Sequence, residues 1–137
     1  MDTSLSAKRR GEAAEASFLE RALHLGLSLA KPWGDSAPFD FIVMGETGLH
    51  RVQVKSVRSR NPRHASYHVG VGRGQHRKQA YSAREIDFLA VLVVPLDDWY
   101  IIPVRALGGR KTVRLGSRHK QSRRLFEPYR EAWSLLT

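Results

Sequence analysis

The chain has 137 residues, with 23 Lys and Arg against 13 Asp and Glu, a formal net charge of +10, and no cysteine. That length suits one domain with a core of its own, and the lack of cysteine excludes disulfides and Cys-based zinc sites. The start Met1-Asp2-Thr3-Ser4-Leu5 has no apolar signal region and no apolar run reaches membrane-spanning length, so we expect a cytoplasmic protein without a membrane partner.

In chain order, apolar residues at helical spacing predict a helix over residues 7–25, closed by Gly26. Its stripe is Phe18, Leu19, Ala22, Leu25 and Gly26, with Glu15 in the middle, Glu12 near the edge and Glu20 well off it. A short strand or link over 27–31 precedes a turn-rich loop, Pro32-Trp33-Gly34-Asp35-Ser36-Ala37-Pro38. A β-hairpin is expected over 40–55, then a basic loop over 57–65 that contains Asn61-Pro62. Residues 67–71 alternate like a further strand, and Gly70, Gly72 and Gly74 lead as a mobile loop into a helix over 75–84. The run Phe88-Leu89-Ala90-Val91-Leu92-Val93-Val94 reads as a buried central strand. A returning strand over 99–104, another over 112–115 and a closing helix over 125–136 complete the pattern. That last helix would carry Phe126, Tyr129, Trp133 and Leu136 on one side, as core or as a subunit interface.

The hairpin carries the chemistry. Two apolar, β-branched runs flank Gly45-Glu46-Thr47-Gly48. A turn centred between Glu46 and Thr47 sets Asp40 across from Gln53, with Cβ atoms roughly 5 Å apart. Alternation places Lys55 on the same face as Gln53. A carboxylate, an amide oxygen and a lysine therefore converge on one side of a sheet. A carboxylate in a core-facing stripe is costly unless paired or bound to metal. Glu15 is therefore expected either to salt-bridge to Arg9 or Arg10, or to join Asp40 from a helix packed on that sheet face.

The charge is unevenly spread. No acid occurs between Glu46 and Glu85 or between Trp99 and Phe126, and both spans are rich in Arg and Lys. Such basic excess points to a polyanion, most simply DNA or RNA, and arginine suits bidentate phosphate contacts. Arg58, Arg60, Arg73, Gln75, His76, Arg77, Lys78 and Tyr81 are the expected nucleic-acid contacts, those from 75 onward lying on the helix over 75–84. Trp33, Tyr67 and Tyr81 are aromatic surfaces for stacking or for packing. Asp87, at the head of a strand, reads as structural. None of the six histidines falls in a ligating pattern, and Gly70-x-Gly72-x-Gly74 lacks the Gly-Lys-Ser/Thr ending of a phosphate loop.

The helix start Gly11-Glu12-Ala13-Ala14-Glu15, then Pro38-Phe39-Asp40, then Arg51-Val52-Gln53-Val54-Lys55-Ser56 and the strand Ile86-Asp87-Phe88-Leu89-Ala90-Val91 resemble the PD-(D/E)XK nuclease superfamily. With Gln in place of an acidic residue, the pattern is similar to group I intron homing endonucleases and to bacterial proteins like archaeal Holliday junction resolvases. The resemblance covers about residues 8–103 and leaves a basic C-terminal extension over 104–137. Two features depart from the family pattern: the proline is displaced by Phe39, and Gln53 removes a charge from the site. The resemblance implies an α/β fold with a restriction-endonuclease-like core, a mixed sheet of about four or five strands flanked by helices. It also implies a homodimer or larger symmetric oligomer.

Hydrolysis of a phosphodiester needs an activated water and a cation on the phosphoryl oxygens. Mg²⁺, or Mn²⁺ in its place, would be held by Asp40, Glu15 and Gln53, and Lys55 would assist the attacking water. The expectation is a metal-dependent endonuclease acting on duplex or branched DNA. The alternatives are a non-catalytic nucleic-acid-binding protein on a nuclease scaffold and a basic RNA-binding protein.

Overall fold

The computed structural model describes residues 5–60, 63, 66–74, 77–116 and 125–137. Helix α1 spans Ala7–His24; the Ser6 hydroxyl caps it by accepting from the Arg9 N–H at 3.2 Å. It ends where Gly26 takes a left-handed φ of +80°. The strands are β1 (Ser28–Ala30), β2 (Phe41–Gly45), β3 (Gly48–Val57), β4 (Tyr67–Gly70), β5 (Phe88–Val93), β6 (Asp98–Pro103) and β7 (Thr112–Leu115), with a one-turn helix α2 (Val104–Leu107) between the last two. Five strands form a mixed sheet in the order β1-β2-β3-β5-β6, and β4 pairs with β7 in a separate antiparallel ribbon. Only β3 and β5 run parallel. This is the expected α/β architecture. No helix among the described residues is long and apolar enough to cross a membrane.

The hairpin register is the expected one. Phe41 faces Val52, Ile42 faces Arg51 and Gly45 faces Gly48 around the Glu46–Thr47 turn. Because side chains alternate, one face of the sheet presents Phe41, Val43, Val52, Val54, Ala90, Leu92, Trp99 and Ile101. Helix α1 covers that face with Ala14, Phe18 and Ala22. The other face presents Leu89, Val91, Val93, Tyr100 and Ile102, covered by the β4–β7 ribbon and α2 through residues such as Val69, Leu115 and Leu107.

Three local expectations are corrected. The buried stripe of α1 is Ala14, Phe18 and Ala22, while Leu19 and Leu25 are exposed. Glu15 therefore borders the stripe rather than occupying its centre. The helix expected over 75–84 is absent among its described residues. Instead Arg73 and Gln79 exchange backbone hydrogen bonds of 2.8 and 3.0 Å, and a single turn follows at Ser82–Glu85. Glu85 accepts from the Ser82 N–H at 3.0 Å, so the pair reads as an N-terminal capping motif, but the turn ends at Ile86, which enters the core. The loop is glycine-dependent: Gly74 has φ +94°, and a Cβ at Gly72 would lie 3.0 Å from Lys78 Cβ.

The closing helix over 125–136 is replaced by two 3₁₀ turns, Glu127–Tyr129 and Trp133–Leu136. Pro128 sits in the first turn, where proline is tolerated, but Glu131 takes a left-handed φ of 51° that no helix interior allows. That bend lets the Glu131 carboxylate accept from the Trp99 N–H (2.9 Å) and the Trp133 indole (2.6 Å). Trp133, Leu136 and Phe126 are buried, so this segment completes the core. The Phe18 ring lies 5.4 Å from Phe41, 5.6 Å from Trp99 and 5.4 Å from Trp133, centroid to centroid. Phe18→Ala is expected to lower stability by about 3–5 kcal/mol, read as an earlier urea midpoint with an unchanged slope.

Candidate active site

Asp40 sits one residue before β2, where the hairpin begins to part. Its N–H donates to Val52 O at 2.9 Å, and its Oδ2 accepts from the Val54 N–H at 2.8 Å. The carboxylate is thereby pinned to the β3 backbone between the side chains of Gln53 and Lys55. With its amide turned to satisfy its neighbours, Gln53 donates to Pro38 O (2.9 Å) and to Asp40 Oδ2 (3.2 Å). The Gln53 amide is thereby hydrogen-bonded directly to the Asp40 carboxylate.

Lys55 lies on the same face. Burial lowers its pKa, and the nearby Lys78 ammonium lowers it further, against the attraction of Asp40. The Lys55 Nζ stands 6.0 Å from the Tyr81 ring centroid. Burial in turn pushes the Asp40 carboxyl above its ordinary value. The Val54 N–H opposes that rise, the Glu15 charge adds to it, and Lys31 and Lys55 pull it down.

The Glu15 charge is felt at Asp40, but the helix that carries it lies on the sheet face opposite to the one expected. The helix carrying it covers the face of Val52 and Val54, whereas Gln53 and Lys55 point to the other side. Val52 and Val54 are the buried residues of β3 and so take the helix. Asp40, at the start of β2, feels Glu15 and Lys31 from one side and Lys55 from the other. The Glu15 carboxylate is held at 2.9 Å by the Lys31 ammonium rather than by Arg9 or Arg10, and that ammonium also lies 4.9 Å from the Phe41 ring centroid. Lys31 is the residue that the sequence reading missed. It follows β1 with no motif around it, sixteen residues from its partner.

Among the described residues, no three His, Asp or Glu side chains gather as a metal-binding group. The donors present are two carboxylates and an amide oxygen, with a lysine ammonium already drawn to one carboxylate. This set fits a hard cation that takes one or two carboxylates and leaves its other positions to water and phosphate.

The sequence matches the family model described as PD-(D/E)XK endonuclease over residues 5–136. The chain belongs to this family. Among solved structures it is similar to a bacterial homing endonuclease, I-Ssp6803I, with a TM-score of 0.80 and 31% identity over 96% of this chain and 93% of that one. The structure of MepB, at 12% identity and a TM-score of 0.44 over 88% of this chain and 93% of that one, is too distant to inform the fold. Curated protein sequences offer no match.

As a PD-(D/E)XK endonuclease family member, the chain places its expected nucleic-acid residues unevenly. Arg58, Arg60, Arg77 and Lys78 are exposed, and Lys78 is close enough to act on Lys55. Arg73 is ion-paired with Glu85, so its charge is already engaged. Tyr81 is buried, at 8% exposure, and packs beside Lys55 instead of offering a stacking face; Tyr67 is equally buried. Gln75 and His76 lie outside the described residues. Asp87 is structural as expected: Arg51 grips it with Nε and Nη2 at 3.0 Å each, and its carboxyl is held below the usual range by that guanidinium.

The raised pKa of Asp40 has a stability consequence. Its ionised form is less favourable in the fold than in the unfolded chain, so the charge destabilises at neutral pH, and this penalty fades as pH falls through the raised value. Asp40→Asn keeps an acceptor for Val54 and is expected to stabilise the metal-free protein by about 0.5–2 kcal/mol at neutral pH. Chemical unfolding across a pH series should show the gap to wild type closing towards acid.

Proposed function

We propose that this protein is a metal-dependent DNA endonuclease that hydrolyses phosphodiester bonds. The observation that carries the reading is the Asp40 carboxylate fixed on β3 by the Val54 N–H and by Gln53, with Lys55 on the same strand face and the Glu15 charge felt from the α1 side. Asp40, Glu15 and the Gln53 amide oxygen would hold Mg²⁺, with Mn²⁺ as a substitute. A bound divalent cation supplies charge neutralisation at the phosphoryl oxygens and a more acidic water.

The chain's own residues do the rest. Gln53 fixes the Asp40 carboxylate through its N–H and adds no negative charge, so metal affinity rests more heavily on the substrate phosphate. Lys55, half-buried and pressed by Lys78, holds its proton less tightly than a free lysine. It is placed to orient the attacking water and to stabilise charge on the phosphoryl group. Arg58, Arg60, Arg77 and Lys78 would guide the backbone of duplex or branched DNA. By likeness to its family the protein would act as a homodimer or larger symmetric assembly.

Supercoiled plasmid and a four-way junction should be cut with Mg²⁺ or Mn²⁺ and spared in EDTA, and Asp40→Ala should remove the activity. Binding without metal-dependent cutting would instead indicate a non-catalytic DNA-binding protein on this fold. Lys55→Ala is expected to reduce cleavage by about 10²–10³-fold or more while sparing DNA binding. Retained wild-type cleavage would sink the role given to Lys55. If about six phosphates are contacted, log affinity should fall against log salt with a slope near −5, and a flat dependence would reject the electrostatic component.

A further inference from the structure

Trp33 is 100% exposed, whereas Trp99 and Trp133 are 1% and 7% exposed and belong to the core. A tryptophan left wholly in water forgoes the burial that its large surface favours. It stands in the loop between β1 and β2, after Pro32 and before Gly34, whose φ of +75° fixes a turn. Both ends of this loop are tied to the site: Lys31 by Glu15 at 2.9 Å, and Asp40 by the Val54 N–H at 2.8 Å. One residue, Pro32, lies between Lys31 and Trp33, so their Cα atoms are no more than about 7 Å apart. A fully exposed indole therefore stands two positions along the chain from the lysine that holds Glu15, in a protein with a net charge of +10.

We propose that Trp33 is a base-stacking contact. Its indole would take the face of a base displaced from the helical stack within a few nucleotides of the phosphate held at Asp40 and Lys55. The inference rests on the nuclease reading above and deepens it. Charge selects a polyanion as the partner, and the ring, which reads no hydrogen-bond pattern, suits any base with a free π-face. Intact duplex offers no such face away from its ends, so the base must be unpaired or extruded. Substrates already open at that point bind without the cost of unstacking. The protein should accordingly prefer a mismatched bubble to perfect duplex, and Trp33 should be the source of that preference.

The test compares labelled duplex and bubble oligonucleotides by anisotropy in EDTA, where no cutting occurs, for wild type, Trp33→Ala and Trp33→Phe. Since Trp33 is exposed, the alanine variant should keep the wild-type unfolding midpoint. The wild type should bind the bubble more tightly. Trp33→Ala should lose about 5–100-fold on the bubble, with an unchanged salt slope because no charge is removed, and Trp33→Phe should recover most of the loss. The exposed fluorescence component of the wild type should also become shielded from acrylamide when the bubble binds.

Equal binding of the bubble by wild type and Trp33→Ala, or undiminished acrylamide access in the complex, would overturn the proposal while leaving the nuclease reading in place. A wild type that binds no DNA would overturn both. A DNA-free protein whose sedimentation coefficient drops in Trp33→Ala, with bubble affinity intact, would assign the indole to an interface between copies and equally overturn it.

Discussion

Strand β3 faces two environments at once. Val52 and Val54 lie against α1 in a dry core that includes Phe18, Trp99 and Trp133, while Gln53 and Lys55 look out on the side of Tyr81 and Lys78. The period of two along an extended chain enforces that division. It allows polar side chains to be held rigidly, because the residues between them are anchored by burial. The β2–β3 register then sets Asp40 against this strand, and the Val54 N–H fixes the carboxylate to the same rigid backbone.

The site concentrates charge that the fold must balance. Two carboxylates close enough to feel one another are offset by Lys31 and Lys55, and the Asp40 carboxyl is still pushed upward because burial outweighs these attractions. Gln53 lessens the repulsion by offering an N–H where another carboxylate would have added charge. Elsewhere the fold pairs its charges directly. Arg51 closes the start of β5 onto β3 through Asp87 and also donates to Arg84 O and Ala83 O at 2.6 and 2.7 Å. Arg130 bridges Asp98 and Glu127. Against these direct pairs, the Asp40 carboxylate is held by N–H groups of Val54 and Gln53 instead of by a bonded cation, an arrangement consistent with the proposed divalent ion.

The elements that were legible in the sequence share one property: local pattern decides them. The turn at Glu46–Thr47 is bounded by glycines, so the pairing of Phe41 with Val52 followed from counting outward, and with it the neighbours of Asp40. The strand at Phe88–Val93, and the one at Asp98–Pro103 after its first residue, are apolar because both faces are covered. What the sequence concealed depended on distant partners. The pairing of Lys31 with Glu15 requires knowing that β1 lies beside α1 at the sheet edge. The face taken by α1 depends on which side of β3 is apolar, and Glu15 alone suggested the wrong side. Tyr81 looked like a surface aromatic among basic residues, yet the ribbon of β4 and β7 encloses it. The 3₁₀ turns near Glu131 depend on a carboxylate reaching back to Trp99, which no helical period reveals.

The two-residue turn between Gly45 and Gly48 also limits how this lineage can change. Adding or losing one residue there, with β3 held in place by β5, would shift β2 along its neighbour and turn its core-facing side chains toward the opposite face. Asp40 would leave its seat at the Val54 amide, and Phe41 would quit the cluster around Phe18. Drift in chain length is therefore closed off at this corner of the molecule. By contrast, the chain between β3 and β4 carries none of the residues that define the Asp40 site. Surface connections tolerate changes in length better than paired strands do, so the spacing rule that binds the Gly45–Gly48 corner has no counterpart there.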